Sequence, residues 1–148
     1  MPANPTPAVL RPFATPAAAL LLLLAYLATH AATRFALPSS LGYDDAEQVL
    51  FAQAWSLGYR FQQPPLVTWL MLGLRDVLGI EPGLTAVTLL RSVLLGALYL
   101  GLYLAARRWL GDPLRAALAS AALATTYTLG YLAHADLLVT TALAASVA

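Results

Sequence analysis

The sequence predicts an all-α integral membrane protein, a multi-spanning helical bundle that carries juxtamembrane helices on its outer face between the first and second spans. Three observations predict it. The chain is 60% hydrophobic and only 10% charged, where a soluble domain carries about 25% charged residues. Its mean hydropathy is +0.72, and its apolar runs approach or reach the roughly 20 residues that cross a bilayer. The polar chemistry is concentrated instead of spread: the stretch Leu41 to Trp69 holds Asp44, Asp45 and Glu47, two of the three Trp and a Pro-Pro pair. A charged, aromatic loop between apolar spans is where a membrane protein keeps its functional polar groups.

The same composition sets limits on function. A formal charge of +1 provides no basic face for nucleic acid. All eight basic residues are Arg, which reads as a compositional bias of the source. Without Cys there are no disulfides, thiol chemistry or thiolate metal sites. The two histidines, His30 and His134, are too distant in sequence to suggest a metal pair.

Each element follows from local chemistry. Met1 to Arg11 is Pro-rich and is expected to be unstructured. Phe13 to Ala32 is an apolar run that reads either as a signal peptide, with Arg11 before it, or as a retained first span. The further apolar runs downstream favour the span. Pro38-Ser39-Ser40 and Gly42 form an exit turn. From Asp44 to Leu57, Leu50, Phe51, Ala54 and Trp55 recur at helical spacing with Asp45, Gln48 and Gln53 off the stripe. This helix is too short and polar to span, so it is expected to lie in the interface. Gln62-Gln63-Pro64-Pro65 is extended by its prolines, and Pro65 is suited to open the next helix. That helix, Leu66 to Leu78, is interfacial or re-entrant by length. Leu84 to Ala106 is the second span, with Arg91 about two turns inside it, and Leu114 to Ala133 is the third. His134-Ala135-Asp136 is a polar break before a fourth apolar run, 137–148, that falls short of a full crossing. The reading is the N-terminal part of a longer transmembrane domain.

Arg107, Arg108 and Arg115 cluster in one turn, which the positive-inside rule places in the cytoplasm. The N-terminus then lies inside, while the Asp44 loop and the Asp136 break share the outer face.

Several residues carry two readings each. Asp44, with Glu47 three residues on, matches a capping box, yet a cap also fixes the direction of a carboxylate that does chemistry. Asp45 adds negative charge at the positive end of the same helix. Asp136, at the mouth of an apolar hairpin, either caps the fourth run or serves a site. Arg91 is the most costly charge in the chain; it either pairs with an outer acid or binds an anion such as phosphate, which matches its planar fork. Arg60 reads as a loop or headgroup contact. Trp55, Trp69, Tyr43 and Tyr59 serve as interfacial anchors or as stacking faces for a sugar. There is no phosphate-cradling Gly loop, zinc-binding helix motif or Ser nucleophile elbow.

Taken together, Asp44-Asp45-Ala46-Glu47-Gln48, Phe51-Ala52-Gln53, Gly58-Tyr59, Gln63-Pro64-Pro65-Leu66 and Trp69 resemble the first outer loop of bacterial lipid-linked-sugar glycosyltransferases. These include protein O-mannosyltransferases, the aminoarabinose transferases of lipid A and the rhizobial galacturonosyltransferases of lipopolysaccharide, all in the multi-spanning C superfamily (GT-C). The resemblance continues through Arg91 to Gly96, Ala105 to Gly111, and His134-Ala135-Asp136. It covers nearly the whole chain from about residue 41, and its strength lies in the order and spacing of individually weak motifs.

The resemblance implies a GT-C bundle that moves a sugar from a polyprenyl-phosphate donor to lipid A, a polysaccharide or a protein. The reaction would take place on the outer face of a bacterial inner membrane, with inversion at the anomeric carbon. By position it makes Asp44 the candidate general base, with Asp45 beside it and Asp136 shaping the acceptor or base site. Arg60, Gln63 and Arg91 would face the lipid phosphate, and Tyr59 and Trp69 the substrates. It requires no definite cofactor and leaves room for a divalent metal. Relatives often have Lys or His where this chain has Gln63, and Glu where it has Asp45. Two other readings use the same residues: a non-catalytic membrane subunit or transporter-like fragment whose acids cap helices, and a relative that binds the lipid carrier without turning it over. The acids sit at the outer edge and not along a mid-membrane pathway, which favours the enzyme.

Overall fold

A computed structural model describes residues 15–36, 40–59 and 65–135, together with residues 142 and 145. Asp136, Arg60, Gln63, the Pro-rich start and most of the expected fourth run lie outside these. The described residues are helical, with no strand among them.

Helix α1 runs from Pro16 to Ala36, α2 from Tyr43 to Phe51, α3 from Leu66 to Leu78, α4 from Leu84 to Leu110 and α5 from Pro113 to Ala122. Two of these, α1 and α4, are long and apolar enough to cross a membrane. Helix α1 buries no residue fully, and Leu20, Leu21, Leu22 and Leu24 on it are exposed, as an apolar solvent would allow.

The helix ends follow sequence chemistry closely. Gly79 closes α3 and Gly111 closes α4, each in the left-handed conformation (φ 67° and 65°) that glycine adopts without a Cβ penalty. Asp112 caps α5 by accepting from the Leu114 and Arg115 N–H groups at 2.8 and 3.2 Å, and Pro113 follows at the first helical position. The α4–α5 turn therefore presents Arg107, Arg108 and Arg115 together at one end of the molecule.

Two expected elements differ. Helix α2 ends at Phe51, well short of Leu57. Beyond it the Tyr59 hydroxyl donates to the Ala54 carbonyl (2.8 Å) and accepts from the Ser56 N–H (3.0 Å), while Ser56 Oγ donates to the Gly58 carbonyl (2.8 Å). These side chains take the backbone partners that a continuing helix would use. The third expected span is not one helix either. After α5 the chain passes through a 3₁₀ turn at Leu123–Thr125, then a π turn at Thr128–Leu132 and a single helical turn at Ala133–Ala135. Thr126 has extended backbone (ψ 136°), and the Thr125 and Thr126 hydroxyls donate to the Ala122 and Leu123 carbonyls at 2.7 and 2.8 Å. Paired threonines give the backbone an alternative to the helical ladder, and the apolar content of the run did not reveal it.

Helix α4 organises the packing. Its first turns, with Val87 and Leu90, join Ala52 after α2 and Val67, Met71 and Leu72 of α3 in one apolar cluster. Further along, Leu95, Leu98 and Tyr99 pack with Leu23, Tyr26 and Leu27 of α1 and with Ala133. Ser120 on α5 donates to the Tyr99 carbonyl at 2.8 Å. Arg91 sits where these two clusters meet.

Candidate active site

Helix α2 begins with its acids. Tyr43, Asp44 and Asp45 occupy the first turn, where the helix dipole favours negative charge. The cap, however, is Gly42, which makes no side-chain cap bond. The capping-box reading of Asp44 is therefore corrected: the cap lies two residues earlier, at Gly42, so Asp44 is inside the first turn instead of flanking it. Asp44 and Glu47 are half-buried.

Asp45 is fully buried, and so is Gln48 one turn on, whose Oε1 accepts from the Thr68 hydroxyl of α3 at 2.8 Å. Arg91 of α4 reaches Asp45 through Nη2, which donates to Oδ1 at 2.7 Å and Oδ2 at 2.6 Å. A second cation, Arg34 from the last turn of α1, lies 3.8 Å from Oδ2 and also donates to the Ser40 carbonyl at 3.4 Å. Arg91 uses its other terminal nitrogen, Nη1, to donate to the His134 backbone carbonyl at 3.2 Å. One buried carboxylate thus ties together α1, α2 and α4. Of the two readings of Arg91, the ion pair with an outer acid is the one the structure displays.

His134 has its own partners. Its ring stacks on His30 of α1 with centroids 3.7 Å apart and planes 17° apart, and its Nε2 is hydrogen-bonded to the Tyr26 hydroxyl at 2.9 Å. Sequence reading did not bring these two histidines together, since only the fold does. A signal was nevertheless present, because Tyr26 and His30 lie one turn apart on a predominantly apolar helix, and polar groups at that spacing mark a face turned toward protein. Among the described residues no group of three or more His, Cys, Asp or Glu is arranged to hold a metal ion.

The aromatic residues are anchored by their polar ends. Trp69 Nε1 donates to the Ser56 carbonyl at 2.8 Å, Trp55 Nε1 donates to Asp76 Oδ2 at 2.9 Å, and the Tyr59 ring stacks on Phe51 with centroids 5.7 Å apart. On α3, Arg75 Nε donates to Asp76 Oδ1 at 2.8 Å. The hydrogen bonds from Arg75 and Trp55 hold the Asp76 carboxyl below its ordinary range. The loop from Ala52 to Tyr59 is therefore pinned to α3 by indole N–H groups.

The sequence itself can be compared with characterised proteins. Over 123 residues, 83% of this chain, it is 41% identical to lipopolysaccharide core galacturonosyltransferase RgtA of Rhizobium johnstonii. The chain is similar to known glycosyltransferases. Lipopolysaccharide core galacturonosyltransferase RgtB of the same organism is 34% identical over 116 residues, 78% of the chain. The chain spans about a quarter of the length of these galacturonosyltransferases, 24% and 23% respectively. No protein-family model matches it, and no solved structure matches it significantly.

Proposed function

We propose that this chain is the N-terminal part of a lipopolysaccharide-modifying glycosyltransferase of the GT-C type, acting on the outer face of the inner membrane. The carrying observation is the similarity over 83% of the chain to a lipopolysaccharide core galacturonosyltransferase, and an acidic helix anchored to the two long apolar helices α1 and α4 supports it. The donor in this reading is a polyprenyl-phosphate sugar, with a uronic acid the first candidate, and the acceptor is a hydroxyl of the lipopolysaccharide core.

The chemistry is a single displacement. The acceptor oxygen forms a bond to the anomeric carbon while the bond from that carbon to the phosphate oxygen breaks, and polyprenyl phosphate departs with the electron pair. A carboxylate takes the acceptor proton, and the anomeric configuration inverts. Asp44 suits the base because it is half-buried on the first turn of α2, whereas Asp45 is wholly buried against Arg91. Asp45 then holds the helix and does not move the proton. With Arg91 engaged on Asp45, Arg60 and Gln63 are the first candidates for the leaving phosphate. Asp136 completes the site from the far end of the third apolar run, and Tyr59 and Trp69 flank the substrates. A divalent metal would assist the leaving phosphate if bound, as the sequence reading allows.

The test is transfer of sugar from a polyprenyl-phosphate uronic acid to lipopolysaccharide core by the full-length protein in membranes, read as a mass increase of one uronic acid residue. Transfer from a nucleotide sugar alone, in membranes free of the lipid carrier, would refute the donor assignment.

A further inference from the structure

Asp45 and His134 lie on different elements, yet one guanidinium touches both. Arg91 Nη2 holds the Asp45 carboxylate, and Nη1 donates to the His134 carbonyl at 3.2 Å. An arginine bound through one nitrogen alone can swing about that contact. A second acceptor on the other nitrogen fixes the plane of the fork. That second acceptor is a backbone atom, so its place depends on what holds the residue. The His134 ring is held on two sides, by the stacked His30 ring at 3.7 Å and by the Tyr26 hydroxyl at 2.9 Å. Tyr26 also meets the His30 ring edge-on, with centroids 4.7 Å apart. Three side chains from α1 and the Ala133–Ala135 turn thus form a clasp whose backbone output is a single carbonyl aimed at Arg91. The Arg91 side chain is 3% exposed and its Nε has no hydrogen-bond partner among the described residues, so its two terminal nitrogens carry its orientation.

We infer that His134 is a positioning residue: clasped by Tyr26 and His30, it sets Arg91 through its backbone carbonyl so that Arg91 holds Asp45 and, with it, the acidic first turn of α2. The inference deepens the reading of α2 as the helix that presents the catalytic acid, and it names residues of α1 as contributors to that site.

The experiment is a double-mutant cycle read by amide hydrogen exchange of α2 in the full-length protein in lipid nanodiscs. Tyr26→Phe removes one clasp bond, and Arg91→Lys removes the fork. Each is expected to speed exchange of the α2 amides by about three- to tenfold, the effect of losing one hydrogen bond. The double variant is expected to go little further than Arg91→Lys alone, because among the described residues the clasp itself touches α2 through that arginine, while Arg34, which also approaches Asp45 from α1, is intact in every variant. Multiplying effects, or unchanged α2 exchange in Tyr26→Phe, would overturn the inference. Should Tyr26→Phe fold poorly, His30→Ala makes the same cut from the other side of the ring, and His30→Phe is expected to return exchange to the wild-type rate by restoring the stack. Exchange needs no substrate, so the result stands apart from the transfer reaction. If the cycle is coupled but kcat is unchanged in Tyr26→Phe, the clasp is established as an anchor of α2 and the base role of Asp44 is judged separately, by Asp44→Asn.

Discussion

Asp45 on α2 and Arg91 of α4 meet through one nitrogen that contacts both carboxylate oxygens, at 2.7 and 2.6 Å, with side chains 0% and 3% exposed. The pair fastens a short amphipathic helix, which could not fold alone, to the longest helix among the described residues. Its geometry gives Asp45 the anchoring task and leaves Asp44, half-buried beside it, as the acid of the proposed reaction.

Removing one member of this pair strands a buried charge. Asp45→Ala and Arg91→Ala are each expected to destabilise the protein by about 3–5 kcal/mol. Replacing both, Asp45→Leu with Arg91→Met, is expected to recover most of that loss, since no charge is left behind. Thermal unfolding in detergent micelles compares the three variants, and a double variant worse than either single would contradict the account.

Asp44→Asn keeps the shape of the side chain and removes its basicity. Sugar transfer by the full-length protein is expected to fall by at least about 100-fold, the scale of a lost general base, with unchanged helix content and membrane insertion. Turnover near the wild-type rate would take the base role away from Asp44.

Gly130 lies in the π turn against the backbone of Ala124, where an added Cβ would collide with the Ala124 carbonyl oxygen. The obstacle is backbone, which cannot rotate aside as a side chain does. Gly130→Ala is expected to cost about 1–3 kcal/mol, as overpacking does, and to show as a lowered melting temperature. Gly73→Ala on α3, where an added Cβ meets nothing within 4 Å, serves as the control.

The Asp76 carboxyl is held below its ordinary value of 3.8, first by its bond from Arg75 and then by that from Trp55. A carboxyl depressed in the folded state contributes stability above its unfolded pKa and loses it as pH falls through the folded one. The contact between the Ala52–Tyr59 loop and α3 is therefore expected to hold at neutral pH and to loosen below about pH 3.8. Indole fluorescence followed from pH 7 to pH 2 reads the change at Trp55. Asp76→Asn is expected to abolish the acid transition, and an identical transition in that variant would assign it elsewhere.

Local signals in the sequence were strong where they came from single residues. Gly79, Gly111, Asp112 and Pro113 end and begin helices where their chemistry demands. The cost of burying Arg91 called for an acid or a bound anion without choosing between them, and the acid is the partner the structure displays. Apolar content was a poorer guide. It could not separate a continuous span from a run broken at Thr125 and Thr126, because both are equally hydrophobic. Nor could spacing choose between Asp44 and Asp45 as the partner of Arg91, since neighbours on a helix differ by 100° in direction, and only the placement of α4 decides which one turns inward. The pairing of His30 with His134 needed α1 and the end of the third run to meet, which is a property of the fold alone.

The two arginines around Asp45 have a consequence for what can approach the start of α2. Taken as unit charges, Asp44, Asp45, Arg34 and Arg91 sum to zero, so the adjacent acids do not act as a doubly negative patch. A lipid phosphate, or a sugar that carries its own carboxylate, would face strong repulsion from two bare carboxylates at such short range. In the proposed reaction, cancelling the inner acid from within the bundle would let one carboxylate be offered to an anionic reactant at little electrostatic cost.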